Sequence, residues 1–429
     1  MPNTYANMSV DQLNQEISWL EDEVERLRGL NLSLDMSRGK PNPEQIDLSR
    51  PMLNTLTNVS DLTDKGVDAA NYGCPDGLPS ARALAAEILG VNPDNVLVVG
   101  SSSLEIMHSV ITNAFVHGIG GNEPWCRQEK VKFLCPSPGY DRHFALTESF
   151  GIENIPIPMR EDGPDMEMVR SLVELDPQVK GIWCVPKYQN PTGITFSDAV
   201  VEAFASLKPA ASDFRIYWDN AYVVHDLVQP GDSLREIFSA VEDAGGKDLV
   251  YEFASTSKVT FAGSGMAWVA ASDADIEELR RAFSVMRVCP NKLVQLMHVD
   301  YLGDLTNVRS HMALHAQILQ PRFALVERKL TEGLGELDIA TWTHPNGGYF
   351  VSFDGPQGSA KAIVKMAAEL GVKLTSAGAT WPGGNDPYDT NIRIAPTYPS
   401  LEELSKALDV FVVCARIVSA RLALSAQTA

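Results

Sequence analysis

Between about residues 90 and 300, short apolar runs alternate with longer amphipathic stretches, and this alternation leaves few folds open to the chain. The runs are Val96-Leu97-Val98-Val99, Lys132-Phe133-Leu134, Ile182-Trp183-Cys184-Val185, Ile216-Tyr217-Trp218, Leu249-Val250-Tyr251 and Met266-Ala267-Trp268-Val269, each followed by a turn rich in Gly, Pro, Ser or Asn. Such a pattern predicts strand-helix-strand units around a mostly parallel sheet. Ligands of open α/β sheets gather beyond the carboxyl ends of the strands, so chemistry is to be sought in those turns.

After residue 300 the texture changes. A long helical stretch runs to about 335, two strand candidates follow at 348–353 and 391–394, and a final helix starts at Leu401. At 429 residues the chain has length for two or three domains. The expected architecture is α/β: a large domain over 51–305 with the mostly parallel sheet, and a smaller α+β domain over 306–429, joined by an N-terminal helix and loop over 1–50. Residues 9–28 read as an amphipathic helix, with Ser9 as cap, Gln12 at the capping-box position, Gly29 at the end, and Leu13, Ile17, Leu20, Val24 and Leu27 spaced by fours and threes. Barely two heptads are present, which favours packing on its own domain over a coiled coil with a partner.

Charge and composition remove whole classes of function. Thirty-five Lys and Arg against 55 Asp and Glu give a net charge of −20, which argues against nucleic acid or an anionic membrane as partner. An anionic substrate must therefore be caught by a few well-placed cations. The six cysteines are scattered without a CxxC pair and the eight histidines form no ligand pattern, so reduced thiols, a cytoplasmic location and no metal are expected. There is no basic patch followed by an apolar stretch at the N-terminus and no run of ~18 apolar residues, so neither export nor membrane spanning is expected.

Four turns could carry chemistry. Gly100-Ser101-Ser102-Ser103 lies between a strand and a helix, where backbone N–H groups and hydroxyls can cradle a phosphate; plain helix capping is the alternative. In Asn190-Pro191-Thr192-Gly193 the proline holds Asn190 extended, so its amide projects as a rigid donor, or the segment is only a turn. Asp219 ends an apolar strand, where a desolvated carboxylate needs a cation such as a protonated ring nitrogen, although a helix cap or an arginine partner would also serve. Lys258, in Ser255-Thr256-Ser257-Lys258, can become a nucleophilic amine if a cleft desolvates it, although a lone lysine is ordinarily just solvated.

In the order phosphate cradle, asparagine, aspartate, lysine, these turns are far more specific together than singly. From about Ser37 to Leu408 the sequence resembles the class I aminotransferases of the fold-type I pyridoxal-phosphate enzymes. The resemblance implies pyridoxal 5'-phosphate as cofactor, Lys258 as the Schiff-base lysine and proton shuttle, and Asp219 as partner of the pyridine nitrogen. It makes Asn190 and Tyr222 donors to the ring's phenolic oxygen and Tyr140 the aromatic stacked on the ring. Ser101, Ser102, Ser103, Ser255 and Ser257 fall at phosphate-binding positions, and Tyr72 matches a tyrosine that reaches the neighbouring subunit's phosphate, which implies a homodimer with shared active sites. Arg393, in Asn391-Ile392-Arg393-Ile394-Ala395-Pro396, falls where the family clamps the substrate α-carboxylate, and Gly39 matches a loop closing over substrate, with Asn190 beside it.

One departure is clear. Where the family usually has a phosphate-binding arginine the chain reads Phe261-Ala262-Gly263-Ser264-Gly265-Met266, so Ser264 and the helix terminus at Ser102 are expected to take its place. The implied reaction moves an amino group between an amino acid and a 2-oxo acid, with L-aspartate and 2-oxoglutarate as the leading pair. Aromatic or alanine transamination, or β-elimination by a lyase on the same fold, are the alternatives. Selecting a dicarboxylate needs a second cation, for which Arg38, Lys40, Arg142, Lys187, Arg287 and Lys292 are the candidates.

Overall fold

A computed structural model describes residues 4–58 and 62–428. The first helix, α1 (Val10–Arg28), begins as the sequence predicts: Ser9 Oγ accepts from the Gln12 N–H, and the Gln12 side chain accepts from the Ser9 N–H. Asp11 in its first turn and Arg26 and Arg28 in its last suit the helix dipole.

All six apolar runs become strands of one sheet. In chain order it comprises β1 (Val96–Gly100), β2 (Lys132–Ser137), β3 (Glu153–Arg160), β4 (Gly163–Pro164), β5 (Val179–Cys184), β6 (Arg215–Asp219), β7 (Val250–Ser255) and β8 (Ala267–Ala271). Across the sheet the order is β1-β8-β7-β6-β5-β2-β3-β4. The ladder from β7 to β3 is parallel, whereas β8 runs antiparallel to both neighbours and β4 folds back on β3. Strand β3 was not expected, because its sequence carries Pro156 and Pro158. Both prolines lie on the same edge of the strand, where β4 pairs only with Met159 and Arg160, so their missing N–H groups break no ladder.

Helices cover both faces, and three parts of the chain matter for the site: α2 (Ser103–His117) after β1, α3 (Asp141–Ser149) after β2, and the irregular turns after β5, β6 and β7. Beyond the sheet come α4 (Leu305–Leu334), a three-stranded antiparallel sheet of β9 (Thr341–Trp342), β10 (Val351–Asp354) and β11 (Asn391–Ile394), and α5 (Leu401–Thr428). The strand expected from residue 348 begins only at Val351, because Gly348 has a φ of +80° that extended backbone does not accommodate.

The apolar face of α1 packs on the chain itself. Leu13, Leu20, Val24 and Leu27 are buried in one cluster with Leu404, Leu408, Phe411 and Ile417 of α5, and with β10 and β11. Farther on, Leu34–Asp35 run beside Val372–Lys373 as a short parallel pair. Helix α1 and the Leu34–Asp35 segment thus pack with the last part of the chain.

Candidate active site

Of the side chains singled out in the sequence, Lys258, Asp219, Tyr222, Tyr140, Asn190 and Arg393 lie near one another at the carboxyl ends of the parallel strands. Lys258 stands in the turn after β7, its Nζ 4.8 Å from the centre of the Tyr222 ring and 6.0 Å from that of Tyr349. Burial lowers its pKa below the ordinary lysine value, and the charge of Asp219 opposes that shift. Tyr222 and Tyr349 stack with centroids 6.0 Å apart. Both phenols are held well above their usual pKa by burial.

Asp219 is the last residue of β6 and is 2% exposed. Its Oδ2 lies 3.0 Å from Nε2 of His143, while its Oδ1 is buried without any hydrogen-bond partner. A buried carboxylate oxygen without a donor is costly, so this atom asks for a cationic donor from outside the chain. His143 is fixed in turn: its ring stacks on Trp183 at 4.5 Å and meets the Tyr140 ring edge-on at 4.9 Å. The Tyr140 phenol, at the N-cap of α3, is pushed up to about 12, first by burial and then by Asp219 and Asp141.

Asn190 is buried, and its Oδ1 accepts from Nη1 of Arg393 at 3.2 Å. That leaves its amide N–H groups as donors. Arg393 Nη1 also bonds Asp141 at 3.0 Å, and the guanidinium lies 4.9 Å from the Phe350 ring centre. The Arg393 Nε is buried and unpaired. Gly39 backs onto the same ring, for a Cβ there would overlap Phe350.

The serine cradle is built from two loops in contact. Ser102 caps α2 by accepting from the Glu105 N–H, and Ser103 is its first residue. Ser255 and Ser257 share a hydroxyl hydrogen bond of 3.1 Å. A Cβ on Gly265 would overlap the Ser101 carbonyl and touch Ser257, so only glycine lets the two loops approach this closely. The Ser101 N–H and hydroxyl both donate to Glu105 Oε2 at 2.9 Å, so a carboxylate oxygen of the chain already engages these donors. Ser101 and Ser264 line a cavity of about 440 Å³ together with Glu105 and Arg287.

Tyr72 stands apart from this cluster and is 80% exposed. Among the candidate selecting cations, Lys187 is committed to Asp226 (2.8 Å) and the Val223 carbonyl, and buried Lys292 to the Asp68 carbonyl (2.7 Å). Lys40 lies over the Tyr398 ring. Arg38 and Arg142 are exposed, and Arg287 lies over the Phe283 ring with its pKa lowered by burial. Two residues of the site were missed in the sequence, His143 and Asp141. The spacing of Tyr140 and His143, three apart at the start of a helix, places them on one face and was the available signal for His143.

Among the described residues no group of His, Cys, Asp and Glu is arranged to hold a metal, and no helix is long and apolar enough to cross a membrane. A mostly parallel sheet with a lysine, a buried carboxylate and clustered serines at its strand ends is the arrangement of fold-type I enzymes. A profile of the family described as aspartate amino-transferase matches residues 8–427. An aspartate aminotransferase of Corynebacterium glutamicum is 40% identical over 425 residues, spanning 97% of this chain and 98% of the relative. The crystal structure of an aspartate transaminase from the same species superposes with a TM-score of 0.96 at 38% identity, covering 99% of this chain and 100% of that one. At 20% identity and a TM-score of 0.71, the alpha-aminoadipate aminotransferase LysN of Thermus thermophilus, complexed with N-(5'-phosphopyridoxyl)-L-leucine, covers 92% of this chain and 93% of its own and shares the fold. The chain belongs to the aspartate aminotransferase family, and it is an aminotransferase.

Proposed function

We propose that the chain binds pyridoxal 5'-phosphate and transfers the amino group of L-aspartate to 2-oxoglutarate. The observation that carries the cofactor reading is the buried, unpartnered Oδ1 of Asp219, which a protonated ring nitrogen would satisfy. The serines of the cradle fit a phosphate, and Lys258 and Tyr222 fit the ring's aldehyde and phenolic oxygen. When bound, this cofactor supplies an aldehyde that condenses with amines and a protonated ring that accepts the electron pair released at the α-carbon.

The residues of the chain have separable tasks. Lys258, whose pKa is lowered by burial, is the amine placed to take the α-proton and return it to the neighbouring carbon. Asp219 stabilises positive charge on the ring, and His143 orients it. Arg393 has Nη1 held by Asp141 and Asn190, so Nε and Nη2 are left to grip the α-carboxylate by two parallel bonds. Asn190 donates to the phenolic oxygen beside Tyr222.

Aspartate as substrate rests on the family and on the named relatives. The reading includes a homodimer in which exposed Tyr72 reaches the phosphate of the other chain. It also places the protein in the cytoplasm, in keeping with six free cysteines. An amino-group exchange screen, pairing common amino acids with 2-oxoglutarate, tests the function. Aspartate is expected to turn over fastest, and borohydride is expected to fix the cofactor on Lys258. Release of ammonia without exchange would overturn the transfer reaction, a faster aromatic acid or alanine would overturn the substrate, and label on another lysine would overturn the site.

A further inference from the structure

On the face of the sheet opposite Asp219 lies a second buried carboxyl that the reaction does not use. Glu252 of β7 stands beside Trp218 of β6, and since side chains alternate along a strand it points away from the site. It is 2% exposed, and Asn220, the residue after Asp219, is 4% exposed. Asn220 Nδ2 donates to Glu252 Oε1 at 2.9 Å. The remaining oxygen of each group, Glu252 Oε2 and Asn220 Oδ1, is buried and has no partner.

As a carboxylate, Glu252 leaves two buried acceptors facing no donor. As a carboxylic acid it supplies the missing donor, because an acid and an amide bond reciprocally: amide N–H to acid C=O, acid O–H to amide C=O. We propose that Glu252 and Asn220 form such a neutral acid–amide pair, with the proton on Glu252 Oε2 shared with Asn220 Oδ1, and that the pair is a positioning device for Asp219. Asn220 connects the two, since its backbone N–H also bonds the Phe253 carbonyl at 2.8 Å, so both its backbone and its side chain are pinned to β7 directly behind the catalytic carboxylate.

The surroundings favour the neutral form. The charged groups that line the cavity on this face are otherwise engaged: Lys187 with Asp226, Arg235 with Glu202 and Asp243, Asp232 with Thr195 and Asn346, Glu236 with the N–H groups of the helix that follows it, and Arg309 exposed to water. None is bonded to Glu252. Burial pushes the Glu252 carboxyl up to about 8, with the charge of Glu236 adding to the rise and the Asn220 bond opposing it. The folded state therefore holds a proton that the unfolded chain releases above its ordinary carboxyl range. The stability it contributes is full below that range and is lost as pH rises through about 8.

The test compares wild type with Glu252→Gln, which keeps the reciprocal pairing without a titratable group, and with Glu252→Ala, which abolishes it. Infrared difference spectra of the holoenzyme at pH 7 are expected to show a protonated-carboxyl band in wild type that is missing in E252Q and fades as pH is raised above 8. Unfolding by urea is expected to grow easier in wild type than in E252Q across pH 5 to 8, up to about tenfold in the unfolding constant per pH unit. The effect on turnover rests on the proposed role of Asp219: E252Q should keep kcat within about twofold at pH 7 and lose the alkaline decline expected of wild type, while E252A should fall at least about tenfold. Absence of the acid band, or identical stability profiles for wild type and E252Q, overturns the neutral pair whatever the site binds. If E252A turns over like E252Q, or does not fold and the wild-type and E252Q rate profiles coincide, the positioning role is overturned.

Discussion

The buried Oδ1 of Asp219 has no donor among the described residues, and the proposed chemistry is arranged around it. Replacing Asp219 with alanine is expected to leave cofactor bound through Lys258 and the cradle but to lower turnover at least about 100-fold, the scale typical of removing a preorganised electrostatic group. Single-turnover spectra measure both quantities, and near-normal rates would remove its assigned role. Arg393→Lys should raise KM for the amino acid about 10- to 100-fold, since one point charge replaces a fork bonded to a carboxylate at about 1.5–3 kcal/mol. An unchanged KM in steady-state kinetics would show that the carboxylate is held elsewhere. Asp219 and Lys258 stood out because each follows or ends an apolar strand, whereas Arg393 was reached through the family resemblance. Asp141 was not, because its partner Arg393 is 252 positions away in the sequence and no local pattern records such a pairing.

At the scale of elements, amphipathic spacing was a sound guide wherever a segment buries one face. α1 is the clearest case, with cap, capping box and buried stripe all readable from the sequence. Truncating its buried stripe by Leu20→Ala should cost about 2–5 kcal/mol, and removing the cap by Ser9→Ala about 1 kcal/mol. Chemical denaturation of the two variants checks the order. Equal losses would mean that the helix is held by its end rather than by its face. Strand β3 was hidden by two prolines that only an unpaired edge tolerates, and whether an edge is paired is a property of the sheet rather than of the segment. The cradle was legible as serines at a helix start, whereas the approach of Gly265 to Ser101 needed coordinates.

For the whole molecule, the proposed dimer gives a use to a side chain that the isolated chain leaves in water. Tyr72 is 80% exposed, so Tyr72→Ala should leave the fold of each chain intact while weakening retention of the cofactor. Equilibrium dialysis measures that loss, and sedimentation should give a particle of twice 46.8 kDa. Unaltered retention in a dimer would show that the phosphate is held by its own chain alone. The sequence order of α1 and α5 has a further result. The ribosome makes α1 well before α5, which supplies much of the surface on which α1 docks. Until α5 emerges, the leucines of α1 lack much of the surface that buries them, and during translation they stay exposed unless another protein covers them.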